Sequence, residues 1–287
     1  MYYLVRRRSG RVDIMSQEEI LKLIKNISPQ ARDYVYDSFK KVEVLYSIFT
    51  VQNKGVFIKV DNEDCCIFYA SFLNEDNIED ILELINYKTN ECISKMNSKE
   101  VCFNIYGNNP RIISLVRKLG FKLDIEGYYL EYVSNELPQL KNSNLKCKGF
   151  ESSMIKEFVD LFDCAYYQLK TDNGWEINSN AKNEEQFYQN LNTLNKFNEV
   201  YSFWLNSELV GAYILKQNYI MDIVVKPVYQ NKGYGSYILA HCIKNMRVNK
   251  FIDNIRLGVA KTNTGAKKLY QRSGFIEISF YAEHTFR

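Results

Sequence analysis

The pattern of apolar and polar positions divides the 287-residue chain into two blocks, in which short apolar runs alternate with stretches of helical period. In the second block, residues 200–205, 209–215 and 219–225 predict successive antiparallel strands. Helices are predicted ahead of these strands, over residues 154–169 and 183–197. This order is typical of a mixed α/β sheet covered by helices, and we predict that fold class for both blocks.

The two blocks are related by a constant offset along the chain. Gly274 lies 154 residues after Gly120, and a phenylalanine follows each of them. The apolar run 219–225 lies on residues 65–71 at the same offset, without a gap. A duplicated fold is the simplest explanation of this agreement.

Length and composition agree with two domains. A chain of 287 residues with 46% hydrophobic content can bury a substantial core and is long for a single domain. The polar stretch 134–144, which contains a proline, lies between the two blocks. We therefore predict one domain over residues 1–137 and a second over residues 138–287.

One polar segment of the second block carries a ligand-binding pattern. Residues 227–236 follow a predicted strand and precede a predicted helix. Gly233 and Gly235 allow the backbone to approach a ligand closely, Lys232 adds positive charge, and N–H groups at a helix N-terminus attract anions. The segment predicts a diphosphate site, with an ordinary glycine-rich turn as the alternative.

The type of diphosphate ligand can be narrowed. The chain has no G-x-x-x-x-G-K-[ST] loop, and Ile238 stands where a dinucleotide-binding loop would place its third glycine. These absences disfavour a nucleotide triphosphatase and a dinucleotide dehydrogenase.

Two motifs in the second block resemble those of the GNAT acetyltransferases. The pattern Gln230-x-x-Gly233-x-Gly235 is similar to the Q/R-x-x-G-x-G/A motif that holds the pyrophosphate of acetyl-CoA in that family. Residues 263–275 are similar to its N-x-x-A-x-x-L-Y-x-x-x-G-F signature. Core packing is the alternative interpretation of the second motif.

The resemblance implies two tandem GNAT-like folds and an acetyl-CoA-dependent N-acetyltransferase, in which a primary amine of a small molecule or peptide attacks the thioester directly. A non-enzymatic acyl-CoA sensor or interaction protein is the alternative function. The residues that the resemblance places at acetyl-CoA are Ile223, Val224, Val225, Gln230, Asn231, Lys232, Gly233, Tyr234, Gly235, Ser236, Asn263 and Ala266.

The resemblance also implies catalytic roles. Tyr270 corresponds to the general acid, and a phenol of pKa about 10 can protonate a thiolate whose thiol has a pKa near 8.5. Asp222 lies on the motif strand, where family members often carry an acidic residue, and is the candidate general base. Glu176, a water chain and deprotonation in bulk solvent are the alternatives.

The first block lacks both motifs. At the offset of 154 residues, Glu79 and Ile81 stand where the second block has the two loop glycines, and Val116 stands where it has the candidate acid. Carboxylates at that helix start would repel a diphosphate. We predict a degenerate GNAT-like domain without cofactor, with a separate acyl-CoA site of unusual design as the alternative.

Composition limits the remaining function classes. A net charge of +3 does not favour a nucleic-acid partner. No apolar run reaches membrane-spanning length, and no secretory signal is predicted, so we expect a cytoplasmic protein, monomeric or homodimeric, without a membrane partner. The seven cysteines and two histidines show no paired spacing, which predicts neither a disulfide framework nor a metal site.

Overall fold

The computed structural model of the chain describes residues 3–6, 12–15, 18, 42–49, 53–61, 63–95, 99–140 and 143–287. The chain divides into two compact units. The first unit comprises Met1–Gly127 and Ser279–Arg287, and the second comprises Tyr128–Ile278. The last residues of the chain therefore group with the first unit.

The described part of the first unit contains a mixed sheet and two helices. Its elements are β1 (Tyr3–Arg6), β2 (Val12–Met15), β3 (Val42–Phe49), β4 (Lys54–Asp61), β5 (Cys65–Phe72), α1 (Glu79–Ser94), β6 (Glu100–Tyr106), α2 (Pro110–Lys118) and β7 (Phe121–Tyr132), which ends in the second unit. Strand β1 pairs with β2. In the larger sheet the order is β3-β4-β5-β6, antiparallel except for the parallel pair β5 and β6.

Aromatic residues from three strands form the centre of the first unit. Phe57, Phe68 and Phe103 are fully buried, and their ring centroids lie 5.6 to 6.0 Å apart. Ile85 of α1 and Ile112 of α2 are also fully buried in this cluster. The alternation of apolar residues along these strands thus buries one face of the sheet beneath both helices.

The second unit is a mixed sheet with helices on both faces. Its elements are β8 (Lys146–Gly149), α3 (Ile155–Asn173), α4 (Ser179–Lys182), α5 (Glu184–Asn195), β9 (Val200–Leu205), β10 (Glu208–Lys216), β11 (Tyr219–Val225), α6 (Tyr234–Lys244), β12 (Arg256–Ala260), α7 (Thr264–Arg272) and β13 (Phe275–Phe286), which ends in the first unit. The strand order is β8-β9-β10-β11-β12. Val224 packs in the cluster formed with α3 and α5, whereas Val225 packs with α6 and α7.

The final residues of β13 complete the sheet of the first unit. They pair antiparallel with β6 from Tyr281↔Tyr106 to Thr285↔Cys102. Thr285 donates a hydrogen bond to Asp124, which strengthens this attachment within the unit. Strand β6 is therefore paired on both edges, with β5 and with β13.

The repeat that the sequence predicts is visible in the element bounds. Helices α2 and α7, and strands β7 and β13, begin and end at positions that differ by 154 residues. Gly120 and Gly274, the residues before these strands, have φ of +98° and +95°. The predicted mixed α/β fold is confirmed. Among the described residues, no helix is long and apolar enough to cross a membrane.

Candidate active site

Strands β11 and β12 pair only at their first residues. The described residues pair at Tyr219↔Arg256 and Ile220↔Leu257, and the parallel ladder goes no further. On its other edge, β11 remains paired with β10 up to Val225↔Gly211. Backbone groups of residues 221–225 that point away from β10 therefore lack a strand partner, which is the arrangement needed to pair with an extended ligand.

A bulge in β11 determines how its side chains alternate. Asp222 faces Ile214, whereas Ile220 faces Leu215, so Met221 is an extra residue in the ladder. Met221 is exposed, Asp222 and Ile223 are half-buried, and the two valines that follow are buried. The bulge thus changes the side-chain alternation just before Asp222.

The loop after β11 ends in uncapped helical N–H groups. Helix α6 begins after Gly233, and no side chain caps its N-terminus. The first N–H groups of a helix have no partner within the helix, and the helix dipole adds partial positive charge there. Asn231, Lys232 and Gly233 are exposed, so an anion can reach these groups from solvent.

Glycine is favoured at positions 233 and 235 for different structural reasons. Gly233 has φ of +88°, a conformation that strains any residue with a side chain, while the space beside it is open. A Cβ atom at Gly235 would lie 3.4 Å from Leu269 Cδ2 and 3.8 Å from Val225 Cγ2. A larger side chain there would occupy the space between the end of β11 and α7.

Neighbouring polar contacts hold the loop. The Gln230 Nε2 atom donates to the Val225 carbonyl oxygen at 3.0 Å, and the Tyr229 hydroxyl donates to Glu208 at 2.6 Å. Lys232 Nζ lies 5.6 Å from the centroid of the Tyr229 ring, and this lysine forms no ion pair with the described residues. Its charge therefore remains available to an anionic ligand.

Helix α7 brings the second motif beside this loop. Asn263 Oδ1 accepts a hydrogen bond from the Ala266 N–H at 3.2 Å and so caps the helix. Ala266 is half-buried and packs on the same cluster as the α6 residues. The cap gives Asn263 a structural role. Contacts of Asn263 and Ala266 with acetyl-CoA remain predictions.

Asp222 is bonded to a tyrosine that sequence reasoning did not connect with it. The Tyr166 hydroxyl, on α3, donates to Asp222 Oδ1 at 2.6 Å. Burial raises the pKa of Asp222, and the hydrogen bond from Tyr166 opposes this effect. Burial, followed by the charge of Asp222, raises the pKa of Tyr166 well above its ordinary value. No motif links these residues, which lie 56 positions apart.

Tyr270 is buried next to this pair. Its ring packs against Phe275 with centroids 6.0 Å apart, and only 8% of the residue is exposed. Burial and then the charge of Asp222 raise the pKa of Tyr270 above that of a free phenol. The Tyr270 hydroxyl forms no hydrogen bond with the described residues, so it is free to donate its proton to a bound group.

Other titratable candidates have structural partners. Glu176 is exposed and bonded to Lys182 Nζ at 2.8 Å. His241 lies 3.3 Å from the Tyr213 hydroxyl, and His284 is fully buried in the first unit. No group of three His, Cys, Asp or Glu residues suited to a metal ion is found in the described part of the chain.

The equivalent loop of the first unit is bonded to its own helices. Glu75 Oε2 and Oε1 accept hydrogen bonds from the Arg111 and Ile112 N–H groups at 2.9 and 3.0 Å, at the start of α2. Arg111 also bonds Glu79, in the first turn of α1, at 2.9 Å. Glu75 thus caps α2, as Asn263 caps the equivalent helix α7, and neither α1 nor α6 has a side-chain cap. The first turn of α1 differs from that of α6 in carrying two acidic residues, Glu79 and Asp80.

Comparison with known proteins agrees with this geometry. Residues 156–275 match the model of the acetyltransferase (GNAT) family. No curated protein sequence matches the chain. The matched segment includes β11, the glycine loop, α7 and all of α3 except Ile155, and it contains all the residues predicted here to bind or act on acetyl-CoA.

Solved structures match over nearly the whole chain. An acetyltransferase from the GNAT family of Colwellia psychrerythraea is 12% identical, with 92% of this chain and 97% of that chain covered and a TM-score of 0.56. A GCN5-related N-acetyltransferase from Sphaerobacter thermophilus is 12% identical, with 93% and 90% covered and a TM-score of 0.59. At this identity the likeness shows the fold. The family match identifies residues 156–275 as a domain of the GNAT acetyltransferase family.

Proposed function

We propose that the second unit is an acetyl-CoA-dependent N-acetyltransferase whose acceptor is a primary amine of a small molecule or peptide. One observation carries this proposal: β11 separates from β12 directly before an uncapped helix N-terminus. An extended pantetheine arm can pair with residues 223–225, and the diphosphate can then reach the N–H groups at Gly233 to Ser236.

The residues around this cleft can carry out direct transfer. The neutral amine nitrogen bonds to the thioester carbon, and Asp222 accepts the proton that this nitrogen loses. Backbone N–H groups of the unpaired β11 edge stabilise the charge on the carbonyl oxygen. The carbon–sulfur bond then breaks, and Tyr270 protonates the departing thiolate. Burial raises the pKa of Tyr270, which keeps this phenol protonated before transfer and also makes it a weaker acid than a free phenol.

The test combines binding with turnover on the full chain. Calorimetric titration with acetyl-CoA should give a saturable isotherm, and a panel of primary amines should release free CoA thiol above the rate without amine. Absence of acetyl-CoA binding would exclude the proposal. Binding without thiol release across the panel would instead support an acyl-CoA sensor.

A further inference from the structure

Two cysteines of the first unit meet at a cavity that the proposed function does not use. Cys66, on β5, is buried, and Cys92, in the last turn of α1, is half-buried. Their Sγ atoms lie 3.1 Å apart. Both line a cavity of about 460 Å³, together with Lys59, Asp61 and other residues of β3, β4 and α1. A small solute therefore has access to a pair of adjacent thiols.

The hydrogen bond between the two thiols and the charged groups around the cavity shift the pKa values of Cys92 and Cys66 in opposite directions. The hydrogen bond shared with Cys66, followed by the positive charge of Lys59, lowers the pKa of Cys92, while burial, Asp61 and Glu91 oppose this. The same hydrogen bond, with burial, raises the pKa of Cys66. These shifts favour ionisation of Cys92 before Cys66.

Little movement separates this pair from a covalent bond. A disulfide has a sulfur–sulfur distance of about 2.05 Å, so side-chain rotation must close a gap of about 1 Å. Cys92 lies in the last turn of α1, three residues before the C-cap residue Lys95. Backbone adjustment at a helix end disturbs few hydrogen bonds.

We propose that Cys92 is a peroxide-reactive cysteine and that Cys66 is its resolving cysteine. The Cys92 thiolate attacks one oxygen of hydrogen peroxide, the oxygen–oxygen bond breaks, and Cys92 sulfenic acid and hydroxide form. The Cys66 sulfur then attacks the sulfenic sulfur, the sulfur–oxygen bond breaks, and the Cys66 proton leaves with the hydroxyl as water. The two thiols lose two electrons, and the peroxide is reduced to water and hydroxide.

The chain supplies internal controls in the second unit. Cys147 and Cys164 are exposed and free. Burial of the thiol raises the pKa of Cys147 to about 11, and burial followed by the charge of Asp160 raises that of Cys164. Both residues are exposed but poor in thiolate, so they separate the effect of thiolate fraction from that of residue exposure.

The test is peroxide titration of the reduced full chain, followed by alkylation and peptide mass mapping. A Cys66–Cys92 link that dithiothreitol reverses should form about tenfold or more faster than oxidation of Cys147 or Cys164, because the rate follows the thiolate fraction. An equal rate at all sites, or oxidation of Cys92 without a link to Cys66, would overturn the proposal.

Variants test each role. Cys66→Ser should leave Cys92 as a sulfenic acid that dimedone traps. Cys92→Ser should leave Cys66 unreactive towards peroxide, and this variant serves as the test if Cys66→Ser does not fold. Lys59→Gln should slow the peroxide reaction of Cys92, whereas Lys118→Gln, at an exposed lysine of α2 that does not line the cavity, should leave its rate unchanged. A Lys59→Gln rate equal to that of the unmodified chain would contradict the assigned thiolate.

Discussion

The two units share the same elements but differ in the pairing of the strand that precedes the loop. In the second, β11 leaves β12 after two paired positions, whereas β5 and β6 of the first stay paired over six, from Cys65↔Glu100 to Ala70↔Ile105. The helix that follows has no side-chain cap in either unit, but the first turn of α1 carries Glu79 and Asp80, whereas the first turn of α6 carries no acidic residue. The shared fold therefore leaves different backbone groups unpaired in the two units, and the proposed acetyl-CoA site depends on this difference.

Replacing the loop glycine by the acid of the other unit should have the largest effect. Gly233→Glu adds a carboxylate and a side chain at φ of +88°, so we expect it to abolish acetyl-CoA binding in a calorimetric titration. Gly174→Glu is the matched control, since Gly174 also has a positive φ, of +68°, and open space beside it. Gly174 differs in position, because it lies at the C-terminal end of α3 and not in the glycine loop. Equal loss of binding in both variants would mean that the effect is general destabilisation.

Removing the phenol that the first unit lacks should affect turnover more than binding. Tyr270→Phe should lower kcat by about 100-fold, a typical contribution of a positioned general acid, with little change in the acetyl-CoA dissociation constant. Steady-state kinetics with Tyr87→Phe, an exposed tyrosine of the first unit, provides the control. Unchanged kcat would remove Tyr270 from the mechanism.

The Tyr166–Asp222 pair should appear in the pH dependence of kcat/KM. A general base must be ionised, so activity should fall as pH drops through the raised pKa of Asp222, and Asp222→Asn should remove this acidic limb. The Tyr166 hydrogen bond lowers that pKa, so Tyr166→Phe should move the limb to higher pH. Tyr167→Phe, its exposed neighbour, should not move it. A limb unaffected by Tyr166→Phe would argue that the pair is only structural.

A smaller effect, on stability, is expected from removing the Glu75 carboxylate in the loop of the first unit. Glu75→Ala removes two hydrogen bonds from the start of α2 and should lower the free energy of unfolding by about 1 kcal/mol, as loss of a helix cap does. Asp76→Ala changes the same charge at an exposed neighbour and should have less effect in thermal unfolding. Acetyl-CoA binding should be equal in both variants.

Restoring glycines alone should not convert the first unit. The double change Glu79→Gly and Ile81→Gly, made in the Gly233→Glu background, should give no acetyl-CoA binding, because β5 and β6 remain paired through Ala70↔Ile105. Titration at millimolar acetyl-CoA measures this directly. Binding gained by this variant would mean that loop composition alone separates the two units.

Local sequence signals predict much of this molecule. The bounds of α7 and β13 follow from a capping asparagine and a glycine that allows positive φ, and the glycine loop follows from residue types that occur next to one another. The role of each site residue remains a prediction. A motif predicts where a side chain lies, but it does not by itself show the chemical role of that side chain.

Contacts between distant residues could not be predicted from local patterns. The bulge at Met221 depends on the register with β10, and Tyr166 meets Asp222 only because α3 packs on β11. The approach of Cys92 to Cys66 likewise requires α1 to fold onto β5. Periodicity gives the face on which a residue lies, but not its partner on another element.

The pairing of β13 with β6 has a consequence for synthesis on the ribosome. Residues 279–287 are made after all of Tyr128–Ile278, yet they cover an edge of a sheet whose other strands emerge much earlier. At about 5 to 20 residues per second, that edge waits on the order of ten seconds for its last strand. An uncovered strand edge can pair with other chains, so translation speed and chaperone access during this interval should influence the yield of folded protein.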